Sequence, residues 1–131
     1  MTEPRIVQET DQWALLYKPH GMPTAPLREK EEGTLLSWFL SRSPEAGTVT
    51  GRKAVEHGLV HRLDTETCGL VLIAKTQSAM DFFLKTQKDG NIIKSYRAFC
   101  SGSPAFVTAL GPARDLLHKL PYDFSSQFRA F

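Results

Sequence analysis

The apolar positions fall into short runs separated by polar and proline-rich stretches. Trp13-Ala14-Leu15-Leu16-Tyr17 is the first run and predicts a strand. Lys18-Pro19 ends it, since proline brings no ladder donor and pushes its predecessor toward extended geometry. Residues 1–12 ahead of it read as a polar leader. His20 to Pro26 holds Gly21, Pro23 and Pro26, a stiff loop suited to shape a cleft or simply to connect. Thr34 can cap a helix that carries Leu35, Leu36, Trp38, Phe39 and Leu40 as core positions. Residues 41–56, with Pro44, Gly47 and Gly51, read as a loop, and Arg52-Lys53 within it as a solvated turn or, less simply, a phosphate contact.

Two apolar runs then flank a polar centre. Gly58-Leu59-Val60 and Leu70 to Ala74 predict buried strands, joined by a tight turn over Thr65-Glu66-Thr67-Cys68-Gly69. A second helix is expected from Thr76 or Ser78 to Lys88, with Ala79, Phe82 and Phe83 facing inward and Asp89-Gly90 as its stop. Residues 92–100 alternate as a strand, which puts Lys94 and Tyr96 on one face. Beyond Ser101 the prolines and glycines break the pattern, leaving at most a helical turn around Arg114 to Leu120. Strand, helix, strand–turn–strand, helix, strand is the order of a mixed α/β or an α+β sheet domain.

Composition narrows this only modestly. The chain has 131 residues, 41% hydrophobic and 23% charged, enough for one domain with a real core. A formal charge of +2 permits a nucleic-acid partner without arguing for one. Cys68 and Cys100 are far apart and form no CxxC, so a disulfide framework or zinc knuckle is not expected, and reduced thiols in a cytoplasmic protein fit best. The N-terminal residues carry acids and no apolar core, so no signal peptide is read there, and no run is long enough to span a membrane.

The polar centre holds the candidate chemistry. On a strand His57 and His61 would lie about 13 Å apart, too far to share a metal ion with Asp64. Cys68 has no oxyanion-type signature beside it and reads as a small buried turn residue. Neither a Walker motif nor GxGxxG occurs, so no nucleotide cofactor is expected. Asp64 follows Arg62 by two residues at a strand end, with Thr65 and Thr67 as potential donors. Such a carboxylate, held ionised, can act as nucleophile or general base, or it can be half of a structural Arg–Asp pair. The residues alone leave both readings open.

His61-Arg62-Leu63-Asp64-Thr65-Glu66-Thr67-Cys68-Gly69-Leu70 resembles the HRLDxxTSG motif of the RluA-type pseudouridine synthases. Tyr17 to Pro23 is similar to that family's KPxG segment, and Ile93 to Phe99 to its KxYxA strand, in the right order and spacing. The resemblance covers about residues 13–100, and His61 favours the RluA side over a sister group that lacks it. It implies an α+β fold with a mixed, mainly antiparallel sheet and flanking helices, and isomerisation of uridine to pseudouridine in rRNA or tRNA. It makes Asp64 the catalytic aspartate and puts Arg62 where the flipped uridine leaves. Tyr96 would stack on the uracil, Lys94 would support the site, and His61 and Thr67 would complete the RNA-facing set. No cofactor or metal is implied, RNA is the expected partner, and a monomer the expected state. Cys68 departs from the family's serine. The family's TGRxHQIR-like segment, whose arginine pairs with the aspartate, has no counterpart here. Residues 13–131 are therefore expected to be the N-terminal part of a catalytic domain, with 101–131 matching poorly, marginally stable and inactive or nearly so alone. Alternatives are a non-catalytic RNA-binding module and an inactive synthase fragment.

Overall fold

The computed structural model describes residues 3–97. The chain divides into two units, Met1–Asn91 and Ile92–Phe131. In the first, three antiparallel strands lie in the order β1 (Arg5–Glu9), β2 (Trp13–Lys18), β3 (Gly69–Ala74). Helix α1 spans Leu35–Leu40 and α2 spans Gln77–Lys88. This is an α+β arrangement, and both strand pairings described are antiparallel. No helix among the described residues is long and apolar enough to cross a membrane.

β2 is the central strand and its alternation sets the core. Ala14, Leu16 and Lys18 are buried, while Trp13, Leu15 and Tyr17 are half-buried on the other face. Its register with β3 runs from Trp13 opposite Ala74 to Lys18 opposite Gly69. Val71 and Ile73 of β3 join Leu35, Leu36 and Phe39 of α1 in one core with Leu59 and Leu63. Thr34 caps α1 as expected, through a reciprocal box: the Ser37 N–H donates to Thr34 Oγ1 and the Thr34 N–H to Ser37 Oγ, each at 3.0 Å.

Several expectations need correction. Residues 5–9 are not leader but an edge strand, closed onto β2 by Thr10, whose Oγ1 accepts from the N–H groups of Gln12 and Trp13. Only Ile6 packs on the core, so little apolar pattern betrays the strand. Gly58-Leu59-Val60 forms no full strand, only a bridge of Leu59 to Ile73. The chain enters it from His57 at φ 46°, and the Ala74 N–H donates to the Gly58 carbonyl at 2.8 Å. A Cβ at Gly58 would collide with the Ala74 carbonyl, so glycine is required by this close approach. Residues 44–48 and 54–56 tighten into two 3-10 turns where a loop was expected.

α2 buries Ala79 and Met80, but Phe82 is 64% exposed rather than inward. At 100° per residue Phe82 lies about 200° round from Met80, on the opposite face. Phe83 is half-buried as the stripe requires. Gly90, at φ 75°, stops the helix. In the second unit, residues 92–97 carry no strand; Ile93 is 85% exposed, and Lys94 and Tyr96 are exposed. An alternating segment becomes a strand only when a partner ladder pairs with it. The rest of the expected strand, with Cys100, and the helical turn at Arg114 to Leu120 with His118, lie outside the described residues.

Candidate active site

The site is built on a lysine in a core position. Alternation along β2 turns Lys18 inward, where it is fully buried. Its ammonium donates to the carbonyls of Pro19 at 3.0 Å, Met22 at 2.6 Å and Thr65 at 3.1 Å. The three bonds match the three donors of an ammonium group. They also tie the proline loop after β2 to the turn before β3. Burial pushes the Lys18 pKa down, against the fields of Cys68, Glu66 and Asp64, which favour the charged form.

Two further bonds fix the same turn. The Gly21 N–H donates to the Thr65 carbonyl at 2.8 Å, from a backbone at φ 83° that glycine adopts without strain. Buried Thr24 donates from Oγ1 to the Leu63 carbonyl at 2.5 Å and accepts the Leu63 N–H at 3.1 Å. The turn closes on itself where the Thr67 N–H donates to the Asp64 carbonyl at 2.9 Å. A contact of His20 Nε2 with Glu66 Oε2 at 2.8 Å joins loop and turn again at the surface. Asp64 thus sits on a backbone held from beneath, with its side chain exposed. Its carboxylate has no hydrogen-bond or ion-pair partner among the described residues.

Arg62 does not pair with Asp64. It pairs with Glu56, Nη1 to Oε1 at 3.1 Å, and Glu56 is buried. A buried carboxylate is the more demanding partner, because its desolvation must be offset, whereas exposed Asp64 keeps its water. His61 is half-buried, and its Nε2 accepts the Leu72 N–H of β3 at 3.2 Å. Thr67 is half-buried beside Asp64 in the turn. Cys68 is exposed, not buried as expected. Burial, and next a hydrogen bond with the Cys68 thiol, hold the Tyr17 hydroxyl above its ordinary pKa. Among the described residues no group of three or more histidine, cysteine or acidic side chains could hold a metal ion.

The sequence matches the family model of the RNA pseudouridylate synthases over residues 12–123. The chain belongs to that family. It is 35% identical over 101 residues to a ribosomal large subunit pseudouridine synthase D of Neisseria meningitidis serogroup B, covering 77% of this chain and 26% of the relative. A synthase of the same name from Vibrio vulnificus is 33% identical over 97 residues, 74% of this chain and 28% of the relative. An uncharacterized RNA pseudouridine synthase of Chloroflexus aurantiacus is 36% identical over 87 residues, 66% and 27%. The match therefore spans about a quarter of these curated relatives.

Within this chain, the structure brings Asp64 and Thr67 onto one turn, with His61 and Arg62 leading into it. Lys94 and Tyr96 belong to the second unit. Sequence reading missed Lys18, Thr24 and Glu56. Lys18 had a readable signal: in the alternation of β2 it shares parity with Ala14 and Leu16, so a charge was due to point into the core.

Proposed function

We propose that this chain carries the catalytic carboxylate of an RNA pseudouridine synthase, and that Asp64 is that carboxylate. The observation that supports the reading most is the pairing of an exposed Asp64 carboxylate, without a hydrogen bond or ion pair among the described residues, with a turn backbone anchored by Lys18, Thr24 and Gly21. Turn backbones are usually secured to the core when their side chains must be presented accurately to a ligand. Membership of the RNA pseudouridylate synthase family supplies the reaction.

In that reaction the N1–C1′ bond of uridine breaks and a C5–C1′ bond forms. The proton lost from C5 balances the one gained at N1, so no oxidant or energy carrier is needed. Asp64 can take up C1′ covalently while the uracil turns over, or remove the 2′ proton to form a glycal; either role needs an ionised, accessible carboxylate. The uridine must first leave its stack, which costs a few kcal/mol and least in loops and distorted stems. Arg62 then borders the vacated place, and Tyr96 stacks on the ring, with Lys94, His61 and Thr67 completing the RNA-facing set. A base stacked on an aromatic recovers about 1–3 kcal/mol. The substrate is rRNA or tRNA.

Isomerisation leaves mass unchanged, so the test is carbodiimide labelling of pseudouridine in bulk rRNA and tRNA transcripts. Product is expected from a longer synthase polypeptide carrying this sequence. The 131 residues alone are expected to give little or none. Absence of product from the longer polypeptide, with salt-dependent RNA binding indifferent to the target base, would make this a non-catalytic RNA-binding module instead.

A further inference from the structure

Arg62 has three carboxylates within six residues of it in the chain, Glu56, Asp64 and Glu66, and it takes Glu56. Glu56 ends the 3-10 turn Ala54–Glu56, and its side chain is 9% exposed against 53% for Arg62. The backbone beneath is fixed on both sides: the Glu56 N–H donates to the Lys53 carbonyl at 3.1 Å, and the Leu59 N–H to the Glu56 carbonyl at 3.0 Å. Lys53 is a poor alternative partner, 3.9 Å away and 64% exposed. A stationary, nearly buried anion therefore grips one nitrogen of a guanidinium that otherwise stands in solvent. Arginine carries five N–H donors in a rigid fork, so one engaged nitrogen leaves most of the fork available.

We propose that Glu56 is a positioning residue for Arg62: it presents the guanidinium ready-oriented to RNA beside Asp64 and keeps it off the Asp64 carboxylate. The inference rests on the reading of Arg62 as an RNA-facing residue. A free arginine loses rotamer freedom when it docks on RNA, and a fixed partner removes part of that loss beforehand. Drawing the arginine to Glu56 also leaves the Asp64 carboxylate uncovered by the guanidinium.

The test is a double-mutant cycle on the whole 131-residue chain: wild type, Glu56→Gln, Arg62→Gln and the double variant. Affinity is read by fluorescence anisotropy with a labelled RNA stem–loop bearing one loop uridine, and folding by circular dichroism. Arg62→Gln is expected to weaken binding about tenfold and Glu56→Gln about fivefold. Adding Glu56→Gln to Arg62→Gln is expected to change nothing further, because Glu56 acts only through the arginine. A merely structural Glu56 would lower affinity by the same factor in both backgrounds, and that result would overturn the proposal. Glu56→Asp keeps the charge but withdraws it by one methylene, and is expected to weaken binding like Glu56→Gln. It decides the matter if Glu56→Gln fails to fold. Wild-type affinity in the Glu56 variants with loss in Arg62→Gln would sink the positioning role alone. Wild-type affinity in Arg62→Gln would sink the RNA role of Arg62 and the proposal with it, leaving Asp64 to its own test.

Discussion

Two lysines at opposite ends of the β2–β3 pair show what separates a charge that meets carboxylates from one that meets carbonyls. Lys75 follows β3 where Trp13 faces Ala74; its ammonium meets Glu9 at 2.8 Å and Glu45 at 3.5 Å. The Glu9 hydrogen bond is the largest cause of its raised pKa, and the same bond holds Glu9 below the usual carboxylate range. Both partners prefer the charged state, so the pair stabilises the fold at neutral pH. Lys18 lies at the other end, opposite Gly69, and among the described residues has only neutral carbonyls as hydrogen-bond partners. Its pKa is lowered, so the folded state disfavours its charge. A group placed against its own preference is kept for what it holds, and Lys18 holds the Asp64 turn.

Removing Lys18 is the severest way to break this comparison. Lys18→Met leaves the carbonyls of Pro19 and Met22 without this donor and Thr65 with the Gly21 N–H in its place, and about 2–3 kcal/mol of stability is expected to go in urea titrations. A variant as stable as wild type would mean that the ammonium is tolerated and not needed. Thr24→Val comes next. It keeps the shape but deletes both bonds to Leu63, with an expected loss of about 1–2 kcal/mol. Turnover in a synthase polypeptide carrying the substitution should fall more steeply than stability, because the Asp64 turn loosens first. Equal falls would mark Thr24 as ordinary core.

Glu9→Gln at the structural end is the mildest, at most about 1 kcal/mol, because Glu9 is partly solvated. Its pH dependence sharpens the contrast. Glu9 has a folded pKa below 4.5, so its contribution is present above that value and lost as pH falls through the folded one. Lys75 has a folded pKa above 10.5, so its contribution is lost as pH rises through it. Lys18 runs the other way: with a folded pKa below 10.5, its contribution to stability rises as pH climbs from the folded value toward 10.5. Melting temperatures of wild type and Glu9→Gln should therefore converge on acidification. Parallel curves across the acid range would remove Glu9 from the account.

How much of this was legible follows the same division. Elements with a strong local period or cap were readable: β2, β3, α1 behind Thr34, and α2 up to Asp89-Gly90. β1 was not, since an edge strand with one core residue has no apolar alternation to read. Asp64 was legible as a suspicious carboxylate, but its surroundings were not. Arg62 two residues away suggested a pair, and the bond went instead to Glu56, six residues back, because burial made that acid the needier partner. Spacing reports which residues are near in the chain; desolvation decides which of them meet. Phe82 is exposed for a simpler reason: the 100° step from Met80 carries it to the opposite face of α2.

The central claim is that the anchored turn exists to present Asp64. The direct measurement is pseudouridine formation by a synthase polypeptide carrying this sequence with Asp64→Asn, alongside its RNA affinity. Asparagine preserves shape and accepts hydrogen bonds, but it supplies neither a nucleophile nor a base. Product is expected to vanish while the dissociation constant for RNA stays within about tenfold of wild type. Normal turnover by that variant would contradict the account at its root.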